Sequence, residues 1–416
     1  MSLAYETLPA VGMAKTYCIN SQVADSACTS TAYLCGIKAN FYTVGVNGKV
    51  KLDDCSFNET NKAPSIAKWA LDAGKAAGLV TTTSVTNASP AGVFGHASNR
   101  FWELDSGVVS SGCDPEVTDD LAEQIVRSDV GSRLKVILGA GSSLFRGKNS
   151  VGENGEMGAR EDGVDLIAEW KNSTKGSYVW NKEMLMKINP KKTSRLLGLF
   201  HSYSMLYNLE VLEQGRQHLD PSLAEMTEKA IDMLKTEKKG FFLFVEGGRI
   251  DHGNHENRAK IALDETVEFS KAIQAAMDKV NMKETLIVVS ADHSHAFSYS
   301  GYPERDADIL GINEDLAEDG LSSMFLSYAN GQGFKKHVDQ ENGGRIDPKP
   351  FPRPIYFEYP SMIPTQYETH GGEDVGIYAG GPWAELFTGV MEQHTIPHLM
   401  AYAACIGDGL KACDEK

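Results

Sequence analysis

The stretch GFFLFVEGGRIDHGNHE, residues 240–256, constrains the fold of this chain more than any other segment. Its apolar run from Phe241 to Val245 predicts a short strand buried on both faces. The residues that follow carry carboxylates and imidazoles around a Gly-Gly pair: Glu246, Asp251, His252, His255 and Glu256. Groups packed this densely need solvent or bound cations. Asp251 and His255 are spaced so that one helical turn directs both at one ion. A solvated loop is the alternative for this stretch alone.

Two other predicted strands also lead into polar residues. The strand predicted at 79–85 leads to Ser89, and the strand predicted at 285–290 leads to Asp292 and His293. In α/β folds with a parallel sheet, ligands lie beyond the carboxyl ends of the strands. We therefore expect an α/β fold with a largely parallel central sheet sandwiched by helices, and a site at one end of that sheet.

The remaining elements follow from apolar periodicity and proline content. A further strand is predicted at 134–141, and helices are predicted at 62–78, 117–127, 163–171, 222–236, 257–280 and 387–406. Six prolines lie between residues 348 and 364, which is incompatible with central strands. We therefore expect an α/β core over 1–299, an insertion outside the main sheet over 300–367, and a return to the core over 368–416.

Residues 25–40, DSACTSTAYLCGIKAN, predict a helix that is capped by Asp25 or Ser26 and stops at Gly36. A serine at a helix N-terminus lies where backbone N–H groups favour phosphate and a developing alkoxide. An ordinary helix cap is the alternative for Ser26.

Composition limits the partners of the chain. Lys and Arg number 40 and Asp and Glu number 56, a net charge of −16 that argues against nucleic acid or an anionic membrane as the main partner. No run of 18 apolar residues predicts a membrane span. The start lacks the apolar core of a signal peptide, and the end lacks the tail of a lipid-anchor signal.

Seven cysteines and three glycosylation sequons indicate an oxidising compartment, which disagrees with the lack of a signal peptide. The sequons begin at Asn58, Asn87 and Asn172. Cys405 and Cys413 flank a short glycine-containing loop that a disulfide could close.

The polar residues suit a metal-dependent phosphoryl transfer. Asp and His together suit zinc, and a set of Asp251, His255, Asp292, His293 and His370 could hold two zinc ions about 4 Å apart. Ser26 would then be a metal-activated nucleophile, and Arg100 would hold the phosphate bidentately.

At these residues the sequence resembles the alkaline phosphatases, most closely the animal type, from about Tyr5 to Cys413. The motifs are V-A-D-S-A around Ser26, N-A-S-P-A-G around Ser89, N-R-F-W around Arg100, V-E-G-G-R-I-D-H-G-x-H-E, A-D-H-S-H and E-T-H-G-G-E-D-V. The resemblance implies a non-specific phosphomonoesterase with a phosphoserine intermediate, a homodimer, an extracellular or cell-surface location, and a crown at 300–367.

The resemblance also implies roles for individual residues. Ser26 would be the nucleophile, and Asp25 would orient Arg100. The first zinc would be held by Asp251, His255 and His370, and its bound water would hydrolyse the intermediate. The second zinc would be held by Ser26, Asp292 and His293. Magnesium would be held by Ser89 and Glu246. His252 and His295 would support the metal ligands without binding the ions. Disulfides are implied at Cys55–Cys113 and Cys405–Cys413, which leaves the partners of Cys18, Cys28 and Cys35 open.

The sequence departs from the family's pattern at the second zinc and the magnesium. The family has an N-terminal strand ending in Gly-Asp-Gly, whose aspartate bridges these two ions, and nothing here matches that motif. We therefore expect a weakened second zinc, low phosphatase activity and free edges on the strands carrying Glu246 or Asp292. Refolding of residues 1–24, with Glu6 as a surrogate ligand, is the alternative.

Two further positions depart from the pattern of the animal members. Asn87 stands where they usually carry a histidine near the magnesium. His201 stands where some carry a calcium-ligating glutamate, although Asp220 matches. The resemblance therefore does not establish a fourth, calcium site.

Three interpretations remain open from the sequence. The first is a working metallophosphatase, and the second is an inactive relative retained as a binding or structural protein. The third is another metalloenzyme of similar architecture, such as a sulfatase or a phosphomutase. A sulfatase would need its nucleophile in a C/S-x-P-x-R context, which Ser26 lacks.

Overall fold

The computed structural model describes residues 2–153, 155–313 and 315–414. Its α-helices are α1 (Ser26–Cys35), α2 (Ile66–Asp72), α3 (Ala88–Ala91), α4 (Asp105–Ser110), α5 (Leu121–Arg127), α6 (Leu166–Thr174), α7 (Lys182–Lys187), α8 (Asn208–Glu213), α9 (Leu223–Leu234), α10 (Arg249–His255), α11 (Ala259–Lys279), α12 (Phe334–His337) and α13 (Ile396–Ala404). Its strands are β1 (Ala10–Lys15), β2 (Ala76–Ser84), β3 (Val136–Ala140), β4 (Ser177–Val179), β5 (Leu196–Leu199), β6 (Phe241–Glu246), β7 (Ile287–Ser290), β8 (Ser294–His295), β9 (Phe297–Tyr299), β10 (Ile312–Asn313), β11 (Ser323–Met324), β12 (Leu326–Gly331), β13 (Ser361–Pro364), β14 (His370–Gly371), β15 (Val375–Gly380) and β16 (Gly389–Glu392).

A parallel sheet with the strand order β4-β5-β3-β2-β6 forms the larger layer of the core. Strand β2 is buried along its whole length. On one face, Leu79 packs in a cluster with Ile66 of α2, and on the other face, Val80 packs in a cluster with Met233 of α9. Helices thus cover both faces of a parallel sheet, and the predicted α/β class is confirmed.

A second sheet has the order β16-β1-β15-β7 and is mixed. Strand β16 is parallel to β1, whereas β15 is antiparallel to both β1 and β7. The prediction of a largely parallel sheet therefore holds for the first sheet only. Parallel neighbours require a crossover connection that brings the chain back to the same end of the sheet. Residues 291–374, which join β7 to β15, make no such crossover, so β15 runs antiparallel to β7.

The prediction that the Phe241–Val245 strand is buried on both faces is wrong, because β6 is only half-buried along its length. Within the described residues, β6 is an edge of the parallel sheet and β7 is an edge of the mixed sheet. Tyr33 of α1 and Phe269 of α11 pack against the apolar clusters of both sheets, so the two free edges lie in the same region. The expectation of free edges on the strands that lead to the site is confirmed.

The helices predicted at 62–78 and 387–406 are the ones that differ most in length from the structure. The helix predicted at 62–78 reduces to α2, because Gly74 takes a left-handed conformation (φ +78°) and β2 begins at Ala76. The helix predicted at 387–406 reduces to α13, because residues 389–392 pair with β1 as β16. Of the helices in the described ranges, none is long and apolar enough to cross a membrane.

The segment 300–367 contributes β10 to β13 and α12, and none of these described elements pairs with either main sheet. Strand β12 pairs with β13 and with β9, which lies just before residue 300. Tyr328 and Tyr359 are buried in an apolar cluster that includes Ala259 of α11, so the segment packs on the helix that directly follows α10.

Candidate active site and metal centre

Asp25 connects the start of α1 to Arg100. Its carboxylate caps the helix by accepting N–H bonds from Ala27 at 2.9 Å and Cys28 at 3.4 Å, as predicted. It also accepts the N–H of Tyr42 at 2.9 Å and Nη1 of Arg100 at 3.1 Å. The structure therefore brings together Asp25 and Arg100, which are distant in sequence.

Arg100 is fixed on two sides. Besides Asp25, its Nη2 lies 3.5 Å from Oδ1 of Asn87, and its backbone N–H donates to the carbonyl oxygen of Tyr42 at 2.8 Å. The Arg100 side chain is 17% exposed, so a ligand can reach it. Its remaining N–H groups can bind a phosphate oxygen pair beside Ser26.

Four imidazoles surround the Asp251 carboxylate. Its Oδ1 lies 3.4 Å from Nε2 of His255, one helical turn further along α10, as predicted from the spacing. The same oxygen lies 3.0 Å from Nε2 of His295, 3.4 Å from that of His370 and 4.0 Å from that of His293. These imidazoles belong to elements from different parts of the chain.

The tautomers of two imidazoles direct lone pairs at each other. His255 donates through Nδ1 to the carbonyl oxygen of Glu368, and His370 donates through Nδ1 to that of Ala24, both at 2.6 Å. In the neutral forms, their Nε2 lone pairs therefore face each other across 3.1 Å. Such lone pairs repel unless a proton or a metal ion lies between them, and two convergent Nε2 atoms beside a carboxylate are a donor set that fits a metal ion.

The predicted zinc ligands form two adjacent groups. Asp251, His255 and His370 form one group, and in the other group Nε2 of His293 lies 3.1 Å from both Oγ of Ser26 and Oδ2 of Asp292. The rings of His293 and His370 stack with centroids 3.5 Å apart, which places the two groups side by side. Imidazole nitrogens with carboxylate oxygens suit zinc.

The predicted magnesium ligands, Ser89 and Glu246, also lie together. Glu246 ends β6, and its carboxylate accepts hydrogen bonds from Ser89 and, at 2.5 Å, from Thr81. Burial and the nearby Asp292 together raise the pKa of Glu246 to about 7, although the hydrogen bonds from Thr81 and Ser89 lower it. Hydroxyl and carboxylate oxygens are ligands that magnesium prefers.

The imidazoles stabilise the ionised carboxylates of the centre. Burial alone would raise the pKa of Asp251, but His295 and His370 hold it well below its ordinary value. Burial would likewise raise the pKa of Asp292, and His293 lowers it. Both carboxylates are thus anionic and available to cations.

His295 and His252, the two residues predicted to support the metal ligands, make different contacts: His295 contacts a predicted ligand, whereas His252 contacts Arg249. His295 contacts Asp251 and donates through Nδ1 to Glu368 at 2.7 Å. Burial alone would lower the pKa of His295, but its hydrogen bonds to these carboxylates raise it to about 10. His252 instead accepts a hydrogen bond at Nδ1 from Nη1 of Arg249 at 2.7 Å, and burial lowers its pKa to about 4.

Sequence reasoning missed Glu368, Thr81 and Tyr33. Glu368 orients His255 through its backbone carbonyl and His295 through its carboxylate. Thr81 is paired in register with Glu246 across the parallel strands. The period of two along a strand puts the first and third threonines of the TTT run on one face, which could have indicated a polar site there. The hydroxyl of Tyr33 is hydrogen-bonded to Ser89, which no sequence pattern indicated.

The residues at the possible calcium position do not fit that ion. Oδ1 of Asp220 lies 3.0 Å from Nε2 of His201, and Oδ2 accepts Nε of Arg216 at 2.7 Å. Calcium needs six to eight oxygen ligands, whereas an arginine and a histidine already occupy both oxygens of this carboxylate.

The disulfides implied by the resemblance, Cys55–Cys113 and Cys405–Cys413, are present. A third joins Cys18 to Cys28. Cys35 is unpaired and buried within the described ranges, and burial raises the pKa of its thiol to about 12. This thiol is therefore protonated and inert at neutral pH.

Comparison with known proteins agrees with the geometry. A family model described as alkaline phosphatase matches residues 1–406. The chain belongs to the alkaline phosphatase family. Over 421 aligned residues it is 43% identical to a membrane-bound alkaline phosphatase of Bombyx mori, covering 99% of this chain and 75% of that protein. It is 42% identical to the tissue-nonspecific alkaline phosphatase isozyme of Rattus norvegicus, in an alignment that covers 99% of this chain and 78% of that protein. The identity to the alkaline phosphatase of Gadus morhua is also 42%, covering 97% and 85%. These relatives establish this alkaline phosphatase family member as a phosphatase enzyme.

Solved alkaline phosphatase structures share the fold. The enzyme from the Antarctic bacterium TAB5 superposes with a TM-score of 0.67 at 21% identity, covering 97% of this chain and 91% of that chain. The Thermus thermophilus alkaline phosphatase superposes with a TM-score of 0.66 at 22% identity, covering 97% of this chain and 85% of that chain. A TAB5 variant has magnesium bound in the site called M3. Family membership and the converging donor atoms thus support metal cofactors and phosphate-ester substrates.

Proposed function

We propose that this alkaline phosphatase hydrolyses phosphate monoesters through a phosphoserine intermediate on Ser26. The observation that carries the proposal is the position of the Ser26 hydroxyl. The hydroxyl lies at the start of α1, with Oγ 3.1 Å from Nε2 of His293. Ser26 directly follows Asp25, which is paired with Arg100. A nucleophile, a phosphate-binding guanidinium and a metal-binding donor set thus occupy one site.

The residues of the chain supply most of the steps. Arg100, oriented by Asp25, binds two non-bridging phosphate oxygens, and the N–H groups at the start of α1 favour the negative charge. The Ser26 oxygen attacks phosphorus as the alcohol leaves, and water then cleaves the phosphoserine to release inorganic phosphate. Two zinc ions held by the predicted groups, with magnesium at Ser89 and Glu246, would favour serine deprotonation and offset phosphoryl charge.

Activity is expected to be low because the second zinc and the magnesium have few ligands. Magnesium prefers six oxygens, and Ser89, Glu246 and Thr81 supply fewer. The free edges of β6 and β7 also leave the strands that lead to Glu246 and Asp292 with pairing on one side only. This same observation favours the alternative, a relative that binds phosphate esters without turning them over.

The same proposal includes a homodimer in an extracellular or cell-surface location, with residues 300–367 as its crown. Three disulfides in the described residues support an oxidising compartment. Asn58 and Asn172 are exposed and suit glycosylation, whereas Asn87 is half-buried against Arg100.

Trapping of the phosphoenzyme tests the proposal. Brief incubation with a radiolabelled phosphate ester at acidic pH, in zinc and magnesium, is expected to label Ser26, and Ser26→Ala should abolish both label and turnover. Ser30→Ala is the matched control, because Ser30 lies on the same helix and bonds only carbonyl oxygens among its recorded contacts. Label on another residue, or unchanged activity in Ser26→Ala, contradicts the proposal. Binding of phosphate without label favours the non-catalytic alternative.

A further inference from the structure

The Cys18–Cys28 disulfide encloses the turn that carries the nucleophile. It closes a ring over residues 18–28, and both cysteines are buried, at 2% and 1% exposure. Residues 24–26, which we call the catalytic turn, lie inside this ring just before Cys28. The Cys55–Cys113 ring also contains Arg100 and Ser89, but it spans 58 positions, whereas Cys18–Cys28 spans only 10. The Cys405–Cys413 ring contains none of the predicted site residues.

Each residue of the catalytic turn contacts a different part of the site. The carbonyl oxygen of Ala24 accepts Nδ1 of His370 at 2.6 Å. The carboxylate of Asp25 accepts Nη1 of Arg100 at 3.1 Å, and the hydroxyl of Ser26 lies 3.1 Å from Nε2 of His293. A small shift of this turn would therefore displace the nucleophile, the phosphate-binding group and a metal ligand together.

The chain on the N-terminal side of the turn is held to the rest of the protein by the disulfide and by two hydrogen bonds to the loop at 39–41. Ile19 donates its N–H to the Ala39 carbonyl oxygen at 2.9 Å, and Oδ1 of Asn20 accepts the N–H of Phe41 at 2.7 Å. Residues 19, 20, 22 and 23 are exposed. Within the ring, Cys18 donates its N–H to the Ser21 carbonyl oxygen at 3.0 Å, and Cys28 donates its N–H to Oδ1 of Asp25 at 3.4 Å. The Cys18 sulfur lies 3.9 Å from the same Asp25 oxygen, so both cysteines contact the turn. The disulfide joins these two cysteines, so it limits the arrangements open to the segment that leads into the turn.

We propose that the Cys18–Cys28 disulfide is a positioning element for catalysis, which holds Ala24, Asp25 and Ser26 in register with His370, Arg100 and His293. The sulfurs take no part in the chemistry. The disulfide acts by restricting the turn to one arrangement, so its removal lowers the rate and weakens phosphate binding in a protein that remains folded. This inference rests on the proposed function of Ser26 and Arg100.

A pair of double variants tests the proposal. Cys18→Ala with Cys28→Ala opens the ring around the turn, and Cys405→Ala with Cys413→Ala opens a ring of similar size at the C-terminal end of α13. Both are assayed in zinc and magnesium at a temperature where circular dichroism shows a folded protein. The first is expected to lose about tenfold to a hundredfold in kcat, since a misplacement of about 1 Å costs that much, and to raise the inhibition constant of inorganic phosphate. The second is expected to keep both values within about twofold of wild type.

The outcome can overturn the proposal. If both variants lose thermal stability but keep kcat and phosphate inhibition, the Cys18–Cys28 disulfide is an ordinary structural link. If the first variant does not fold, wild-type protein treated with a water-soluble phosphine provides the same comparison. The phosphine takes the oxygen of water as the two sulfurs gain protons and electrons to become thiols, and peptide mapping reports which disulfide is open.

A separate measurement keeps this test independent of the proposed function. If wild-type protein forms no phosphoserine, the proposed function fails by itself. Equilibrium binding of inorganic phosphate to the metal-loaded protein then decides the role of the disulfide. Weaker binding in the first variant alone supports positioning of Arg100, and equal binding in both variants refutes it.

Discussion

Arg100 is the residue at which the proposed phosphate recognition can be tested most directly. Arg100→Ala should lower kcat/KM about a hundredfold, or about 2.7 kcal/mol in transition-state stabilisation, and weaken inhibition by phosphate. Arg100→Lys is the matched control, because it keeps the charge but loses the planar fork that binds two oxygens. It should retain part of the affinity. Unchanged phosphate affinity in Arg100→Ala would show that the phosphate binds elsewhere.

Asp220 provides a pH-dependent prediction away from the metal centre. Burial alone would raise its pKa, but His201 and Arg216 lower it, so the ionised form stabilises the fold. This contribution is present above the ordinary carboxyl pKa of about 3.9 and is lost as pH falls through the lower pKa of the folded state. Asp220→Asn should cost about 2 kcal/mol at pH 7, and the cost should shrink as the pH falls below about 4. Urea unfolding at several pH values measures it.

A matched control uses the more exposed Asp232–Lys279 pair, where Asp232→Asn should cost less, since exposed pairs contribute about 0–1 kcal/mol. A pH-independent cost at Asp220 would contradict the ion-pair explanation. A large rise in melting temperature on adding calcium to wild-type protein would contradict the assignment of Arg216 and His201 as the partners of the Asp220 carboxylate.

Strands β2 and β6 should differ in hydrogen exchange. Both are parallel neighbours in one sheet, but β2 pairs on two sides, whereas β6 pairs with β2 alone within the described residues. Amides of β6 that point to its free edge should exchange much faster than those of β2. Exchange measured by mass spectrometry or NMR checks this expectation. Equal protection in the two strands would show that the free edge of β6 is covered in solution.

The free edges also predict that an added strand stabilises the site. A version of this chain extended by a homologous strand ending in Gly-Asp-Gly should protect β6 and β7, raise the melting temperature and raise turnover in zinc and magnesium. The physical reason is that a strand would satisfy backbone groups on both edges, while its carboxylate would supply a ligand near Asp292 and Ser89. Equal turnover and equal melting temperature in the two versions would refute this prediction.

At the scale of the whole molecule, metal content should reflect the unequal completeness of the two zinc groups. Asp251, His255 and His370 form a three-ligand set typical of a catalytic zinc. We expect about one zinc per chain to survive dialysis, with the second metal lost more easily. Because a ligand that binds the folded state stabilises it, zinc should raise the melting temperature and a chelator should lower it. Two equally tight zinc ions would show that another group completes the second site.

The sequence by itself determined the elements that depend on short-range interactions. The helix α1, with its Asp25 cap and its stop at Gly36, follows from local hydrogen bonding. The placement of Asp251 and His255 on one face of α10 follows from helical periodicity. The family motifs in the sequence identified residues that the structure brings together as the two groups of predicted zinc ligands and the predicted magnesium pair.

Only the tertiary structure decided features that depend on partners remote in the chain. His370 is oriented by the carbonyl oxygen of Ala24, 346 positions away, and no local pattern contains such a pairing. Three other features also depend on distant or non-local contacts: the half-burial of β6, the pairing of residues 389–392 with β1, and the Cys18–Cys28 disulfide. Burial, strand pairing and disulfide geometry depend on which surfaces meet after the chain has folded, and the periodicity of a short segment carries no information about that meeting.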